Sequence, residues 1–380
     1  MIFRKTIMFA LLSVLFTIQT LQLASAMPTF ARSEGVACST CHTAWPQLNA
    51  KGRKYKENGY RFGDVSEDEG KRFADYFEDG LPIGAVVVAR PYDKKKSGDV
   101  KNRALHEVEV FVAGNINKNF SGVLELEAED ETNFNIGVPW ARLSYNHSPA
   151  LNVNMSWASY FDADSYGFLG DSFRMTRGHV KVLDSAFGGV DGNLRAARQG
   201  FGISGRPMSK LFYNVNYSGL AGDAEGNDAK NFLGQLSYDV LDNVNIGAFA
   251  IKGKDGTTQN DFNRNGVNFM ADVGATRLHG AYVRAKDDVT GTTTNVKNDA
   301  LSFQVMHVFK KGKRPNWVPI MRYDTYEKNN GADSYDELTL NLTHYFKQNI
   351  KGYVEYFEQL DAPSSVTKDR RVTAQLSVGF

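Results

Sequence analysis

Apolar and polar residues alternate along most of the chain from about residue 83 onward, in segments of roughly ten residues. In one such segment Val108 and Val110 alternate with Glu107 and Glu109. A period of two places aliphatic side chains on one face of a strand and carboxylates on the other. Repeated segments of this kind are typical of a transmembrane β-barrel, whose strands present one face to lipid and the other to a wet lumen.

The alternation predicts an all-β domain over residues 81–380 with sixteen antiparallel strands, an even number. The predicted strands are 83–91, 104–116, 119–128, 136–146, 151–161, 196–205, 211–220, 231–239, 243–252, 264–273, 276–286, 299–310, 317–326, 336–346, 349–359 and 370–380. Short turns then alternate with longer polar connections, provided that residues 162–195 form one long loop. The alternative is a further strand over 175–183, which would shift the strand assignment nearby.

The last nine residues, 372–380, alternate and end in an aromatic residue, Phe380. They resemble the C-terminal strand by which bacterial outer-membrane barrels are recognised for assembly. The chain also has 25 Phe, 17 Tyr and 4 Trp, enough for aromatic girdles at both membrane interfaces. We therefore expect a bacterial outer-membrane location, with lipid as a partner of the barrel, and Phe380 closing the sheet against the first strand.

Residues 1–26 have the pattern of a secretory signal peptide. Arg4 and Lys5 precede an apolar stretch that leads into Ala24-Ser25-Ala26, and cleavage after Ala26 would leave Met27 first. The alternative, a membrane anchor, is disfavoured by polar interruptions of the apolar stretch. The remaining chain has 42 basic and 43 acidic residues, so nothing in its charge implies nucleic acid as a partner.

The only two cysteines lie in Cys38-Ser39-Thr40-Cys41-His42, the c-type haem attachment pattern. In this pattern the two thiols form thioethers to one haem and the histidine is the proximal iron ligand. A disulfide and a dithiol redox site are alternatives, but neither accounts for His42. We therefore predict one covalent haem c in residues 27–80, a segment so short that it needs a cofactor to stabilise it.

The N-terminal segment as a whole resembles a known family. Its motifs are Met27-Pro28-Thr29-Phe30-Ala31-Arg32, Gly35, Cys38 to His42, Pro46, Leu48-Asn49, Gly52-Arg53, Tyr55-Lys56 and Gly59-Tyr60. They resemble, over residues 28–62, the haem segment of the fused monohaem cytochrome-porins of iron-oxidising bacteria. The resemblance implies a mainly helical or irregular haem segment that plugs the barrel lumen. It also implies electron transfer from extracellular ferrous iron to a periplasmic carrier. The corresponding enzymatic activity would be the oxidation of iron(II).

Several side chains are candidates for contacts inside the barrel. Residues 162–195 form the third external connection, which in general porins folds inward; it contains Phe168, Arg174, Met175, Arg177, His179, Lys181 and Arg195. The second axial ligand of the iron is left open among Met27, Met175, His179, His279, His307, His344, water and no ligand. We also expect the strand carboxylates Glu107, Glu109, Glu125 and Glu127 to face the cations Lys51, Arg53, Lys54 and Lys56.

Three functions from different classes remain. The first is electron transfer across the outer membrane, and the second is a solute porin whose haem is structural or sensory. The third is a periplasmic haem enzyme with an all-β domain and no membrane insertion. The acidic residues between 64 and 79 are either a solvated linker or a docking site for a basic carrier such as a c-type cytochrome.

Overall fold

A computed structural model describes residues 28–62, 82–166, 168–170, 174–183, 194–227, 230–254, 259–289, 291–292 and 294–380. The signal sequence, Met27 and the acidic residues 64–79 lie outside the described residues. No helix in the described residues is long and apolar enough to span a membrane.

Sixteen strands form the body of the molecule, as the alternation predicts. They are β1 (Ile83–Lys95), β2 (Lys101–Asn115), β3 (Phe120–Glu129), β4 (Gly137–Ser148), β5 (Leu151–Ala158), β6 (Arg198–Met208), β7 (Leu211–Ser218), β8 (Asn231–Leu241), β9 (Val244–Lys254), β10 (Asp261–Val273), β11 (Thr276–Asp288), β12 (Asn295–His307, continued by Phe309–Lys311), β13 (Arg314–Lys328), β14 (Asp333–Lys347), β15 (Ile350–Asp361) and β16 (Arg370–Gly379).

Each strand pairs antiparallel with its neighbours in sequence, and β16 pairs with β1 to close the barrel. The predicted role of Phe380 is confirmed: its backbone accepts a hydrogen bond from Ala85 N at 2.8 Å and donates one to Ala85 O at 2.9 Å. Closure leaves no strand edge, so the backbone hydrogen bonds of the sheet are satisfied within the wall.

The connections at the two ends of the barrel differ in length. Seven connections of two to four residues lie at the end where both β1 begins and β16 ends. The connections at the other end have four to 39 residues, and the longest runs from 159 to 197. In outer-membrane barrels the short turns face the periplasm, so both strand termini are periplasmic and the long connections external.

The distribution of side chains is inverted relative to a soluble protein. Large apolar residues are exposed on the outer face, including Phe201, Ile203, Leu342 and Val354. Polar and charged residues are buried inside, among them Arg264, which is 0% exposed. An apolar exterior around a polar interior identifies a membrane barrel of the outer-membrane type. The alternative of a periplasmic protein that does not enter a membrane is therefore wrong.

The N-terminal segment lies inside the barrel. It consists of helix α1 (Pro28–Ser33), a 3₁₀ turn (Cys38–Thr40), a two-stranded hairpin (His42–Ala44 with Gln47–Leu48) and helix α2 (Ala50–Glu57). Asn49 caps α2, because its side chain accepts a hydrogen bond from Gly52 N at 3.0 Å. Gly59, with a φ of +69°, lies just after α2 ends. We call residues 28–62 the plug.

Two apolar clusters, which we call the plug cluster and the external cluster, lie at different depths of the lumen. One joins the plug residues Cys38, Ala44 and Trp45 to wall residues near the periplasmic end, such as Val86 and Tyr345. The other lies nearer the external end and packs residues of the 159–197 connection against the wall; it includes Tyr160, Phe161, Phe168, Leu169, Val180, Val182, Leu183 and Leu194. The long connection therefore folds inward, and we call it the inner loop. Its described residues contain no strand, so the alternative of a strand over 175–183 is wrong.

Candidate functional site

The two cysteines and the histidine of the C-x-x-C-H motif lie where a 3₁₀ turn runs into the plug hairpin. No disulfide joins Cys38 to Cys41, both of which are described. Burial raises the pKa of the Cys41 thiol, which is opposite to the shift that a reactive dithiol centre needs. The raised thiol pKa therefore disfavours a dithiol redox site at this motif.

His42 is oriented by the plug backbone. Its Nδ1 lies 2.9 Å from the carbonyl oxygen of Pro46. A carbonyl only accepts hydrogen bonds, so Nδ1 carries the proton and Nε2 keeps its lone pair. Withdrawal from solvent lowers the pKa of His42 to about 4, which keeps the ring neutral at physiological pH. A neutral imidazole held through Nδ1 by a backbone carbonyl is the usual arrangement of a histidine that binds metal through Nε2.

A cavity of about 740 Å³ adjoins this motif. Cys38, Cys41 and His42 contribute to its lining from the plug, and Val86 and Phe111 contribute from the barrel wall. The volume falls within the roughly 300–1,000 Å³ range of small-molecule and cofactor sites. The cavity combines an apolar part, at Val86 and Phe111, with charged residues elsewhere, which suits an amphiphilic macrocycle better than a small polar solute.

Buried charged residues of the wall hold the plug in place. The guanidinium of Arg277, on β11 and 1% exposed, donates to Leu48 O at 2.9 Å and to Gln47 Oε1 at 3.2 Å. Arg277 is itself paired with Asp272 at 2.6 Å. On another side of the plug, Glu57 at the end of α2 forms an ion pair with Arg206 of β6. These contacts fix both the hairpin and α2 relative to the barrel.

The apolar anchor of the plug is Trp45. Its carbonyl accepts hydrogen bonds from Tyr345 Oη and from Lys351 Nζ, the latter at 3.3 Å. The Lys351 ammonium also lies 4.2 Å from the centre of the Trp45 ring, a cation–π contact. Neither wall residue is identifiable as a plug contact from the sequence, because each is about 300 residues away along the chain.

Six glutamates line the cavity on one side of the barrel, and we call them the acidic wall: Glu107, Glu109, Glu125, Glu127, Glu129 and Glu131. Glu107 lies directly across from Glu129, and Glu109 across from Glu127, on the paired strands β2 and β3. The carboxylates of Glu107, Glu109 and Glu127 approach within 4.8 Å of one another. The acidic wall extends toward the external end, since Glu131 lies in the connection after β3.

The cations that we expected to oppose these carboxylates make other contacts. Lys56 Nζ donates to Asp164 O of the inner loop at 2.8 Å. The guanidinium of Arg53 donates to Leu48 O at 3.4 Å and stacks over Tyr166 at 5.2 Å. Lys51 lies over the ring of Phe62 at 4.6 Å. Lys51, Arg53 and Lys56 thus contact the plug, the inner loop and, through Met270, another part of the wall, while Lys54 is exposed.

The predicted inner-loop residues divide into two groups. Arg174, Met175, Arg177, His179 and Arg195 all line the cavity. Phe168 instead packs in the external cluster and stacks on His279, and Lys181 pairs with Glu337 at 3.4 Å. The inner loop therefore brings basic groups and one methionine to the cavity that the C-x-x-C-H motif also lines.

The other candidate iron ligands lie elsewhere. His307 and His344 point outward on their strands and contact the aromatic residues Phe309 and Trp317, as expected for girdle positions. His279 is buried against Phe168 and is not part of the cavity lining. Met27 lies outside the described residues.

Comparisons with known proteins support the barrel fold. No family model matches the sequence, and no curated protein matches it. Among solved structures, Salmonella typhi OmpF in complex with daunomycin is 17% identical with a TM-score of 0.58, covering 78% of this chain and 97% of that chain. An anion-selective porin from Comamonas acidovorans is 13% identical with a TM-score of 0.60, covering 78% and 98%. The outer-membrane channel DcaP of Acinetobacter baumannii is 11% identical with a TM-score of 0.51, covering 78% and 95%.

These similarities define the class of fold: a closed sixteen-stranded barrel of the outer-membrane porin type. Each of these structures covers 78% of this chain, so about a fifth of the chain has no counterpart in them. The residues inside the barrel therefore have to be interpreted from their own chemistry. Two thiols, an oriented imidazole and an adjoining cavity of cofactor size together fit a covalently attached haem.

Proposed function

We propose that this protein is an outer-membrane electron-transfer protein that holds one covalent haem c inside its barrel. Cys38 and Cys41 would attach the haem, and His42 would be the proximal ligand. Electrons would pass from an extracellular donor, with ferrous iron favoured, to a periplasmic carrier. The observation that carries the proposal is the lumenal position of the C-x-x-C-H motif, on the lining of a cofactor-sized cavity.

The position of the motif suits transfer through a membrane. An outer-membrane barrel presents an apolar band about 25 Å tall, which insulates the two sides from each other. A haem supplies a one-electron carrier when bound. The plug places the attachment residues in the periplasmic half, and the cavity continues from them along the acidic wall toward the external end. Electrons would thus pass between partners on the two sides without either partner crossing the lipid.

The chain's own residues have distinct roles in this proposal. The Pro46 carbonyl holds the imidazole of His42 in one tautomer. Arg174, Arg177 and Lys351 line the cavity with cationic groups of the kind that bind carboxylates such as haem propionates. Trp45 and Phe111 supply apolar surface at the same cavity. The inner loop and the plug together restrict solvent access to it.

The acidic wall supports a cation as the extracellular donor. Its carboxylates are hard oxygen donors of the kind that attract divalent metal cations. A wall that carries one sign of charge raises the local concentration of ions of the opposite sign beside it. Ferrous iron is the cation that the family resemblance implies, and its oxidation at this site would leave the ferric product outside the periplasm.

Haem attachment is tested by mass spectrometry of the purified full-length protein. We expect one haem per chain in the wild type and in a Thr40→Ala control within the motif. Cys38→Ala combined with Cys41→Ala should remove covalent haem. Retention of covalent haem in the double variant, or its absence from the wild type, would overturn the attachment proposal.

The donor is tested in oriented proteoliposomes with ferrous iron added only on the external side. We expect reduction of the haem, seen in its absorption spectrum, without iron entering the interior of the liposomes. Replacing Glu107 and Glu109 by Gln should slow this reduction, while Glu225→Gln, on an external connection outside the cavity, should not. A haem that dithionite reduces and ferrous iron leaves oxidised would exclude iron as donor and retain electron transfer from another source.

A solute porin with a structural haem is the second candidate, favoured by the similarity to porin structures. The two functions differ in whether solutes cross the lumen. Liposome swelling with small sugars at a rate typical of open porins, without haem reduction by external donors, would favour this candidate.

A further inference from the structure

We propose that Met175 of the inner loop is the second axial ligand of the haem iron, opposite His42. This inference rests on the proposed function, since it requires that a haem is attached at Cys38 and Cys41. It assigns to the inner loop a direct role in the redox site, in addition to narrowing the lumen.

The position of Met175 distinguishes it from the rest of the inner loop. The other buried apolar residues of the loop pack in the external cluster. Met175 instead packs in the plug cluster, together with Cys38, Trp45 and Phe111. It is 4% exposed and lines the same cavity as His42. Among the described residues, it is thus the apolar residue that the inner loop contributes to the cluster containing Cys38.

The wall holds the residues after Met175 in one position. Arg322 of β13 donates to Thr176 Oγ1 at 2.6 Å, to Gly178 O at 2.8 Å and to His179 O at 3.1 Å. Arg322 is 2% exposed and paired with Asp324 at 2.7 Å. A ligand on a loop needs such support, because the conformational entropy lost on ordering a flexible loop would weaken coordination. Arg322 is therefore a positioning residue for Met175.

The chemistry of the cavity favours the thioether over the nearby imidazole. A thioether is neutral at every pH and is a soft ligand of haem iron, suited to apolar surroundings such as Trp45 and Phe111. His179 also lines the cavity, but it is half-buried, and Arg174 Nη1 lies within hydrogen-bond distance of its ring nitrogens. A guanidinium only donates, so this contact occupies a lone pair that iron would need.

Two further residues provide matched comparisons. Met306 belongs to the same apolar cluster as Met175 and is 1% exposed, but it lies on β12 and is not part of the cavity lining. Met306→Leu therefore removes a buried thioether without removing the proposed ligand. His179→Ala removes the competing imidazole from the same loop.

The experiment uses full-length protein with covalent haem, purified in detergent. In the wild type we expect a low-spin ferric haem with the near-infrared charge-transfer band of methionine–iron coordination. The ferrous protein should show the strongly upfield-shifted proton resonance of a coordinated methionine methyl group. Met175→Ala should lose both signals, become high-spin and bind carbon monoxide faster. Met175→His should restore a low-spin haem at a lower potential. Met306→Leu and His179→Ala should retain both signals.

The wild-type spectra alone test the ligand even if a variant does not assemble. A bis-histidine or high-spin spectrum in the wild type would overturn the assignment of Met175. Loss of the methionine signals in Met306→Leu but not in Met175→Ala would overturn it as well. A wild-type chain without covalent haem would instead contradict the proposed function, so the two failures are distinguishable.

Discussion

Gly52 lies where α2 packs against the C-x-x-C-H motif. Replacing Gly52 by alanine tests whether that packing is as close as the structure indicates. A Cβ at residue 52 would lie 2.1 Å from the carbonyl oxygen of Cys41 and 3.0 Å from Leu48 Cδ2. The Cys41 oxygen is not able to move away easily, because it accepts a hydrogen bond from Asn49 N at 2.8 Å. Helix α2 and the C-x-x-C-H motif would therefore have to move apart.

Two effects of Gly52→Ala oppose each other. At an open position in a helix, alanine is more favourable than glycine by about 1 kcal/mol. Overpacking a close contact costs about 1–3 kcal/mol, and sometimes more. The contact is with backbone and far inside van der Waals distance, so we place its cost at or above the upper end of that range. The net result is a plug destabilised by about 2 kcal/mol.

Hydrogen exchange of the plug amides measures this change. A loss of about 2 kcal/mol corresponds to exchange faster by a factor of about 30 for amides of α2 that open with the plug. Gly98→Ala is the control, since nothing lies within 4 Å of a Cβ added there. Unchanged or slower exchange of the α2 amides in Gly52→Ala would refute the close packing of α2 on the motif.

Three further outcomes follow from single contacts. Arg277→Leu should lower the stability of the plug hairpin by about 1.5–3 kcal/mol, because it removes charged hydrogen bonds to Leu48 and Gln47; protease resistance of the plug measures this, with the exposed Arg284→Leu as control. Deletion of Phe380 should reduce the heat-modifiable barrel fraction relative to Phe380→Leu, which retains the backbone pairing with Ala85, and equal assembly would contradict this. At alkaline pH, where Glu109 and Glu127 are both ionised, Glu109→Gln should raise the thermal stability of the barrel by about 0.2–1 kcal/mol, because it removes the repulsion across the strands; Glu225→Gln should not, and a lower melting temperature would contradict the repulsion.

The barrel was predictable from the sequence because its signal is local. Most strands alternate with a period of two, and the two faces meet opposite solvents, so the strand count and the closure at Phe380 follow without any distant contact. The predicted end of the sixth strand at residue 205 is too early, and the physical reason lies at Pro207. A proline favours a turn, but β6 continues through it to Met208 with a register shift after Gly205, and the turn is Ser209-Lys210.

The plug contacts were not predictable because they join residues far apart in the chain. The hydrogen bond from Arg277 to Leu48 spans 229 residues, and nothing in the local pattern selects that partner. Matching charges by sign predicted that the plug cations would face the acidic wall. Lys56 instead donates to the backbone carbonyl of Asp164, because the inner loop reaches the end of α2 at this point. The C-x-x-C-H motif is local, so the sequence alone shows it, and haem attachment there stays a prediction.

The acidic wall is the feature that stability alone does not explain. Directly opposed carboxylates on paired strands repel each other, and a wet lumen offers neutral polar residues as an alternative, as the buried Asn152, Ser204 and Asn214 do elsewhere in this barrel. The inner loop places its basic groups, Arg174 and Arg177, at the same cavity. The lumen is therefore polarised, with anionic groups along β2 and β3 and cationic groups on the inner loop. We expect a field of this kind to draw a small cation along the acidic wall toward the C-x-x-C-H motif, while Arg177 on the cationic side is held by its ion pair with Asp93.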